Sequence, residues 1–456
     1  MTVRYVGPGG NNGNNGLSWD NRKLTLDGVE DTPVVAGDIV YVGPGVYREQ
    51  LTVDVSGTSD VARITYIGDV TGENTDGIGG IIRITGSNND TTSTRNYCIY
   101  GQTNNYRTFR GFTLDFAGYQ EIGLQDAPTN WIIEYCDIRI GGSNSLIYIG
   151  GSSNIIIRNC ILYGSTSNSG ITIAYAVASN ILIENCLLGG CRNEVVLSSS
   201  TGVMIKNCTF IGNGMFLSAD GGIYISTATG GGYQVSVYNC IFAGGYSCFY
   251  ATGVNDIDEN YNCICGESVP RTNTNTGANS NIYSPIFESP ILVNTFKFPY
   301  RFFELSIDSP VRAITGTSTA TNDFYGLARP TTESKKSWGM IQASSISTTD
   351  AIVITFEDAG RKQILIPKSL ITSGISVKCK RDSNYTGTYP QMIIKQPGQS
   401  DRTTTDTGSS GTWNTLTDSF TPALSPWYVM VELVSNNTDT SNPTTNNAYF
   451  KDLTVG

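Results

Sequence analysis

Short segments with apolar residues at alternate positions recur along the middle of the chain about every two dozen residues. Three of them follow one template: Asn130–Cys136, Asn154–Cys160 and Asn180–Cys186. Looser copies end at Cys208, Cys240 and Cys263, so successive cysteines are 24, 26, 22, 32 and 23 residues apart. A period of two is typical of a β-strand with one buried face, so each copy predicts a short strand.

Each repeat also carries a second apolar strand upstream of the first, as at residues 146–149 and 170–173. One such unit cannot bury its own apolar face, whereas stacked units bury a continuous core and pair every backbone edge. The repeat therefore predicts a right-handed parallel β-helix, with roughly ten coils between residues 60 and 290, each advancing about 4.8 Å.

In-register stacking should bring like residues together in columns. We expect a turn column of asparagines whose amides hydrogen-bond along the helix: Asn159, Asn185, Asn207, Asn239 and Asn262. The cysteines that follow them are interpreted as a column of small buried hydrophobes. Thiols stacked one per coil do not converge tetrahedrally on an ion, so neither a metal nor any other cofactor is predicted.

The outward positions of the same strands carry two further columns. One alternates in charge through Glu134, Arg158, Glu184 and Lys206, and should form surface ion pairs worth under about 1 kcal/mol each. The other is apolar in four successive copies and then polar at Ser236; its apolar members are Ile132, Ile156, Leu182 and Met204.

An apolar column on the outside of a sheet has to be covered. The possible covers are a neighbouring subunit, the C-terminal domain or a long loop of the same chain. We favour a homotrimer of parallel rods, since most oligomers are symmetric. The four apolar residues are therefore interface candidates.

The first 60 residues are predicted to form an N-terminal cap and the first coil, because an open β-helix end exposes sheet edges. Residues 20–30 suit a short helix over that coil, with Asp20 or Asn21 as its N-cap. A strand, a tight turn and a second strand follow in residues 36–49.

Residues 36–49 resemble the opening coil of pectin-lyase-like β-helix proteins, which reads broadly G-D-x-[IV]-x-[VL]-x-x-G-x-Y-x-E. The matching residues are Gly37, Asp38, Gly45, Tyr47 and Glu49. Residues 64–69 and 107–114 resemble further early coils, and residues 303–311 and 323–330 resemble the closing pattern. The resemblance covers residues 1–345 and implies a β-helix over 61–335. It implies little about activity, since lyases, hydrolases, tailspikes and inert adhesins share these motifs.

The repeat ends after Pro330, and residues 331–337 read as a linker. Residues 336–456 are predicted to form an antiparallel β-sandwich, because alternating strands there are separated by loops rich in Ser, Thr, Gly and Asn. Residues 411–417, 427–432 and 448–455 resemble jelly-roll modules of the carbohydrate-binding type. That resemblance implies a core position for Trp413 and makes three other residues candidates for sugar stacking: Tyr385, Tyr389 and Trp427. The predicted fold class is thus all-β, a right-handed parallel β-helix followed by a jelly-roll sandwich.

Composition and charge exclude several kinds of function. The chain has no histidine, which removes Ser-His-Asp and Cys-His catalysis and His-ligated zinc. Its formal charge of −10 argues against nucleic acid as a partner, since phosphate binding needs clustered Lys and Arg. No apolar run has the length of a membrane span, so insertion into a membrane is not expected.

Catalytic candidates are few. Hydrolysis of a polysaccharide on this fold needs two carboxylates facing each other across a groove. Glu194 and Asp220 are the best such pair, because they fall near equivalent places one coil apart. Earlier copies hold Asn144 and Asn168 there, which favours a turn column over a catalytic pair. We find neither a cluster of Asp suited to calcium-dependent elimination nor a convincing lyase constellation, so no catalytic residue is predicted.

The chain begins Met-Thr-Val-Arg-Tyr-Val with no apolar leader region, which predicts synthesis in a reducing cytosol with its eleven cysteines as thiols. A rigid acidic rod ending in a sandwich resembles tailed-phage surface proteins, such as capsid decoration or cement proteins, tail fibres and spikes. That resemblance implies a non-enzymatic component of the virion surface, made in the host cytoplasm. Its partners would be the major capsid protein or tail proteins, with possible binding of cell-surface polysaccharide. The alternatives are a polysaccharide lyase or glycoside hydrolase of the same fold, and a bacterial surface adhesin.

Overall fold

In the computed structural model the regular elements of the described residues are almost all β-strands, and the chain divides into two compact units. The structure describes residues 1–31, 34–90, 92–139, 144–164, 169–175, 178–213, 222–227, 234–245, 247–252, 257–267, 271–272, 281–282, 352–354, 361–367, 371, 373–383, 385, 389–395, 400–421, 428–434 and 448–455. The predicted domain boundary at residues 335–336, the linker and the closing motifs therefore lie outside the described residues.

The first unit contains 29 described strands, one α-helical turn and a 3-10 turn at Asp60–Ala62. The elements are β1 (Val3–Val6), α1 (Asp27–Glu30), β2 (Ile39–Val42), β3 (Gly45–Tyr47), β4 (Leu51–Thr52), β5 (Ile64–Gly68), β6 (Ile82–Thr85), β7 (Tyr97–Tyr100), β8 (Arg107–Arg110), β9 (Thr113–Asp115), β10 (Gln120–Leu124), β11 (Thr129–Glu134), β12 (Asp137–Arg139), β13 (Ser145–Gly150), β14 (Ser153–Arg158), β15 (Ile161–Tyr163), β16 (Ser169–Ala174), β17 (Ser179–Glu184), β18 (Leu187–Gly189), β19 (Asn193–Ser198), β20 (Thr201–Lys206), β21 (Thr209–Asn213), β22 (Ile223–Thr227), β23 (Val235–Tyr238), β24 (Ile241–Gly245), β25 (Phe249–Ala251), β26 (Ile257–Asn260), β27 (Cys263–Glu267), β28 (Arg271–Thr272) and β29 (Asn281–Ile282).

These strands form three parallel sheets, named here A, B and C. Sheet A runs β1-β2-β5-β8-β11-β14-β17-β20-β23-β26, sheet B runs β3-β6-β9-β12-β15-β18-β21-β24-β27-β29, and sheet C runs β4-β7-β10-β13-β16-β19-β22-β25-β28. The chain visits A, B and C in turn and then returns to A one position further along. The described strands thus make nine complete coils from β2 to β28, and the predicted parallel β-helix is confirmed.

The period-two pattern explains the core. In β14 the side chains of Ile155 and Ile157 are fully buried, and each lies in register with an apolar residue of the neighbouring coils. Fully burying one such side chain contributes about 1.5–3 kcal/mol. Aromatic residues stack inside the early coils: the ring of Phe109 lies 5.2 Å from that of Tyr66 and 5.3 Å from that of Trp131.

The stacking of asparagines at one turn is confirmed in four coils and has a backbone cause. The predicted chain of amide hydrogen bonds is not continuous, because neither amide atom of Asn239 has a hydrogen-bond partner among the described residues. Asn159, Asn185, Asn207 and Asn239 all have φ between 53° and 56°, the left-handed conformation that Asn tolerates better than most residues. Tyr135 and Tyr261 adopt the same conformation in other coils.

Asn262 does not belong to this column, so that part of the prediction is wrong. The register pairs Ile241 with Cys263, which places Asn262 beside Cys240. There its Oδ1 accepts a hydrogen bond from the backbone N–H of Cys240 at 2.9 Å. The inward residues of β26 set this register, because Ile257 has to lie under Val235 in the core.

The N-terminal cap is less helical than predicted, since α1 spans only Asp27–Glu30. Residues 16–23 instead bond to the exposed edge of β1. The N–H of Tyr5 donates to Gly16 O at 2.8 Å, and its carbonyl accepts from Lys23 N at 2.9 Å. This segment satisfies backbone groups that the open end of sheet A would otherwise leave unpaired.

The residues that carry the family resemblance hold this cap in place. Asp38 is fully buried and accepts hydrogen bonds from Thr2 N at 2.8 Å and Arg4 Nε at 3.0 Å. The carboxylate of Glu49 accepts from the backbone N–H groups of Leu26 and Asp27, both at 3.1 Å, at the start of α1. These acidic residues therefore serve the fold and not a solvent-exposed site.

The second unit consists of antiparallel strands: β30 (Ile352–Ile354), β31 (Arg361–Pro367), β32 (Gly374–Arg381), β33 (Gln391–Lys395), β34 (Arg402–Thr405), β35 (Asn414–Ser419), β36 (Tyr428–Val434) and β37 (Ala448–Val455). Sheet D has the order β30-β37-β32-β35, and sheet E has the order β31-β36-β33-β34. Side chains of both sheets, such as Val377 and Phe450 from D and Ile394 and Val431 from E, share one hydrophobic cluster. This is the packing of a β-sandwich; its assignment as a jelly roll stays a prediction.

Candidate functional site

Tyrosines line the outer face of sheet C. The register places Tyr100, Tyr148, Tyr224 and Tyr250 in one outward column that runs across the coils. The rings of Tyr224 and Tyr250 lie 5.3 Å apart. Gly123 separates Tyr100 from Tyr148 in this column, and Thr172 and Val196 separate Tyr148 from Tyr224, so the rings form two groups on this face.

One glycine makes room for a further ring on this face. Gly123 lies between Tyr100 and Tyr148 in the column, and a Cβ at Gly123 would come within 2.8 Å of the ring of Tyr97. Tyr97 can therefore lie over the sheet, where its ring stacks on that of Tyr100 with centroids 4.8 Å apart.

A groove with a volume of about 620 Å³ opens on the same face, across β10, β13, β16 and β19. Its aromatic walls are Tyr148 and Tyr175, and its charged residues are Asp126 and Arg192. The rest of the lining is mainly amide and hydroxyl groups: Gln120, Gln125, Asn144, Ser145, Ser169 and Asn193. Side chains alternate between the two faces of a strand, so the large ring of Tyr148 at an outward position reaches this groove. The short polar side chains of the lining come from the ends of the strands.

Tyr175 is held in a strained backbone conformation. Its φ is 73°, and 62% of the residue is exposed. Equivalent turn positions in the neighbouring coils hold Gly151 and Ser199, also with positive φ. A left-handed conformation costs a bulky residue about 1–2 kcal/mol, so the ring is retained there at the expense of stability.

The hydroxyls of Tyr148 in the groove and of Tyr100 on the same face are neutral at physiological pH. The hydrogen bond that Tyr100 donates to Asp126 at 2.7 Å, together with burial, raises the pKa of Tyr100 to about 12. Burial and a hydrogen bond with Tyr175 raise the pKa of Tyr148 to about 12 as well. The groove therefore offers uncharged hydroxyls and amides beside aromatic faces, a combination suited to a polar ligand with apolar faces.

The residues predicted as a weak catalytic pair do not lie in the groove as the structure describes it. Glu194 is fully buried inside the coil, and Asp220 lies outside the described residues. The predicted equivalence of Glu194 with Asn144 is wrong, because the register pairs Ser145 with Ser169 and Ser169 with Asn193, which places Arg192 in line with Asn144; Asn144 and Arg192 both line the groove. Among the lining residues that the structure describes, Asp126 is the single acidic side chain.

The predicted interface column lies on the outer face of sheet A. Ile132, Ile156, Leu182 and Met204 are in register; the first three are half-buried, and Met204 is 37% exposed. The predicted ion pairs beside the column are confirmed. Arg158 lies 2.6 Å from Glu134, and Lys206 lies 3.4 Å from Glu184.

The sandwich residues fall in different places. Tyr389 is 47% exposed, with the guanidinium of Arg381 at 4.0 Å from its ring centre. Tyr385 is partly buried against the sandwich core, and Trp427 lies outside the described residues. Trp413 was expected in the core but is 36% exposed. The expectation is wrong because Leu416, three residues later in β35, supplies the buried side chain.

Sequence reasoning missed the tyrosine groove. A signal is present in the sequence, since Tyr100, Tyr148 and Tyr224 on this face each directly follow an inward isoleucine, but it lies in the less regular second strand of the repeat. Within the described residues, no three Cys, Asp or Glu side chains are grouped so as to hold a metal ion. None of the helices there has the length and apolar character of a membrane-spanning segment.

Three parallel sheets wound around one core define the class of parallel β-helix proteins. The family model of the right-handed β-helix region matches residues 73–242 and 122–284 of this chain. Residues 73–284 thus match the right-handed β-helix family model, and the sheets described above have the fold that this model describes.

Solved structures extend this likeness. Pectate lyase Pel9A is 17% identical at a TM-score of 0.52, over 75% of this chain and 97% of that one. An alginate lyase from Paenibacillus sp. str. FPU-7 is 16% identical at a TM-score of 0.37, over 57% of this chain and 96% of its own. Tailspike protein gp49 from Acinetobacter baumannii bacteriophage Fri1, a capsular polysaccharide depolymerase, is 12% identical at a TM-score of 0.26, over 91% of this chain and 81% of its own. Of these three likenesses the first alone exceeds 0.5, and at its identity it shows the fold without the activity. None of the curated proteins matches the sequence.

Proposed function

We propose that this chain is a glycan-binding structural protein, a β-helical component of the surface of a tailed-phage particle that holds polysaccharide without cleaving it. The observation that carries the proposal is the groove on sheet C, where the tyrosine rings of Tyr148 and Tyr175 stand beside a lining of amides and hydroxyls. Sugars have apolar ring faces and polar edges, so a site for them needs both kinds of group.

The size and rigidity of the groove support this ligand class. It crosses four adjacent strands of sheet C, a span of about 15 Å at the strand spacing of about 4.8 Å. That is room for a short oligosaccharide. The rings are fixed by a paired backbone, so little conformational entropy is lost when a ligand binds.

The chemistry of the groove favours binding over turnover. Hydrolysis of a glycosidic bond needs a second carboxyl about 5–9.5 Å from the first. Asp126 has no acidic counterpart among the described lining residues, and it already accepts a hydrogen bond from the hydroxyl of Tyr100 at 2.7 Å. Tyr148, with a pKa of about 12, is a poor general base at neutral pH.

The proposed assembly is a homotrimer of parallel rods joined through the apolar column of sheet A, at the virion surface in contact with the major capsid protein or tail proteins. A parallel sheet face with Ile156 and Leu182 at outward positions gains from being covered by a second apolar surface. The buried cysteine column suits a chain made in the reducing host cytoplasm.

The test is binding of the full chain to neutral polysaccharides, with dextran and galactomannan as the first probes, measured by affinity electrophoresis. Tyr148→Ala should weaken binding about tenfold, because one aromatic contact contributes on the order of 1 kcal/mol or more. The matched control is Tyr41→Ala, which removes a partly exposed tyrosine from the outer face of sheet A.

The same incubations are assayed for new reducing ends and unsaturated products. Binding without products supports the proposal. Turnover that Asp126→Asn abolishes would replace it with the alternative of a lyase or hydrolase. Equal binding by Tyr148→Ala and Tyr41→Ala would remove the groove from the glycan site.

A further inference from the structure

Tyr119 lies directly beside the groove on sheet C, in the turn that leads into β10. The register pairs Ile122 of β10 with Ile147 of β13, which places Tyr119 in line with Asn144 of the groove lining. The next residue in the chain, Gln120, lines the groove as well. Tyr119 is 44% exposed, so its ring is open to a ligand. The outward surface that lines the groove therefore continues past it by one aromatic residue.

Two more tyrosine rings connect Tyr119 with the groove. The ring centre of Tyr97 lies 6.4 Å from that of Tyr119 and 4.8 Å from that of Tyr100. The side-chain amide of Gln125, a residue of the groove lining, donates to the hydroxyl of Tyr97 at 2.8 Å and to Gln120 Oε1 at 3.2 Å. We call Tyr97, Tyr100 and Tyr119 the outer ring group. Its aromatic surface and the polar lining of the groove form one continuous face.

Hydrogen bonds hold the turn that presents Tyr119. Its backbone N–H donates to Asn96 O in the preceding coil at 2.9 Å. Two residues earlier, the N–H of Ala117 donates to the fully buried carboxyl group of Glu121 at 3.1 Å. An aromatic ring on a fixed turn loses little conformational entropy when a ligand binds, so Tyr119 is suited to a contact that adds affinity.

The rings on the other side of the groove are separated from it. Thr172 and Val196 lie between Tyr148 and Tyr224 in the outward column. A ligand that extends beyond the groove therefore meets aromatic surface first in the direction of β7. From β7 to β16, the strand that Tyr175 follows, the span is three strand spacings, or about 14 Å at about 4.8 Å each.

We propose that the glycan of this site is an extended chain that lies along the β-helix axis and contacts the outer ring group as well as the groove. Tyr119 then sets the length that a ligand needs for full affinity, since a short oligosaccharide fills the groove without reaching this ring. This inference rests on the proposed function and adds to it the length and the direction of the ligand.

The experiment measures binding of trisaccharide and of long fragments of dextran and galactomannan to the full chain by isothermal titration calorimetry. The parent should bind the long fragments more tightly than the trisaccharides. Tyr119→Ala should lower affinity for the long fragments about tenfold, because one aromatic contact is lost. Its affinity for the trisaccharides should stay unchanged, which also shows that the variant is folded. Tyr119→Phe keeps the ring and should bind like the parent, whereas Tyr148→Ala should weaken binding of both lengths.

The matched control is Tyr250→Ala, which removes a partly exposed tyrosine from the same face of sheet C on the far side of the groove. It should bind fragments of both lengths like the parent. Equal affinity of the parent for both lengths, an unchanged affinity in Tyr119→Ala, or a loss confined to long fragments in Tyr250→Ala would overturn this inference. Binding that still depends on Tyr148 would in each of these cases leave the proposed function intact. Binding of neither fragment by the parent would remove both.

Discussion

Glu30 and Arg107 form an ion pair that is fully withdrawn from solvent, although 77 residues separate them in the chain. Both carboxylate oxygens of Glu30 accept hydrogen bonds from the guanidinium of Arg107, each at 2.8 Å. The hydroxyl of Tyr66 donates to the same carboxylate at 2.5 Å. Because Glu30 ends α1 and Arg107 begins β8, the pair ties the cap to the third coil.

Removal of one partner should cost far more than a surface ion pair would. Glu30→Ala leaves the guanidinium of Arg107 buried without its counter-charge, and we expect a loss of about 3–5 kcal/mol in the free energy of unfolding. The control is Asp60→Ala, since Asp60 is 80% exposed in its pair with Arg63 and should change stability by less than about 1 kcal/mol. Urea unfolding of the two variants measures both values; equal losses would contradict the assignment.

The carboxyl group of Glu121 should make stability depend on pH. Its side chain is fully buried, and burial raises its pKa well above that of an exposed glutamate. One oxygen accepts from Ala117 N at 3.1 Å, and the other contacts no donor among the described residues. As pH rises above the pKa of the unfolded chain, the unfolded state ionises while the folded state keeps its proton, so the folded state loses relative stability.

Glu121→Gln cannot ionise and should therefore remove this loss. The variant is expected to gain stability over the parent at about pH 8 and to differ little from it at about pH 4. Unfolding by urea at both pH values gives the comparison. The exposed Glu73→Gln serves as the control and should follow the parent at both values. A constant difference between Glu121→Gln and the parent across pH would be inconsistent with a buried neutral carboxyl group.

The ring of Tyr175 should increase affinity for a glycan, while its positive φ should lower the stability of the fold. Tyr175→Gly removes the ring and also the strain of a positive φ, whereas Tyr175→Ala removes the ring and keeps the strain. The glycine variant should be more stable than the alanine variant by about 1 kcal/mol. Both should lose about the same affinity for a neutral glycan, roughly tenfold. Thermal unfolding and affinity electrophoresis provide the two readouts. An alanine variant as stable as the glycine variant would argue against strain.

The apolar column of sheet A predicts a substitution that separates assembly from folding. Leu182→Asp places a charge at the centre of the column and should dissociate the proposed trimer. The circular dichroism spectrum should stay unchanged, because Leu182 points outward. Ser236→Asp, at the polar end of the same column, is the matched control and should leave the oligomer intact. Light scattering after gel filtration measures the mass. A monomeric parent chain would refute the trimer.

The sequence predicts most of the β-helix because one residue type recurs at one position in several successive coils. A left-handed turn selects Asn159 and Asn185, and a small buried site selects Cys160 and Cys186, so the repeat is visible without a structure. A residue's position cannot be predicted from the repeat where contacts with residues distant in the sequence determine it. Asn262 was misplaced because the core contacts of β26, and not its own identity, set the register.

The same reason limits prediction of the sites. The groove on sheet C combines Tyr148 with Tyr175 from a later coil, and no spacing in the sequence marks their approach. The exposure of Trp413 follows from strand pairing with β32, which the sequence pattern does not specify. The outward column of sheet A was predictable, since Ile156 and Leu182 occupy the same place in two close copies of the repeat.

The buried thiols of the cysteine column can serve as natural probes of local opening in the β-helix. Cys136, Cys160, Cys186, Cys208 and Cys240 are buried one per coil, so a thiol reagent reaches each of them only when its coil separates from its neighbours. The rate of alkylation at each cysteine then reports the opening free energy of a single coil. Mass spectrometry of the labelled peptides would map how stability varies along the helix, with no engineered label.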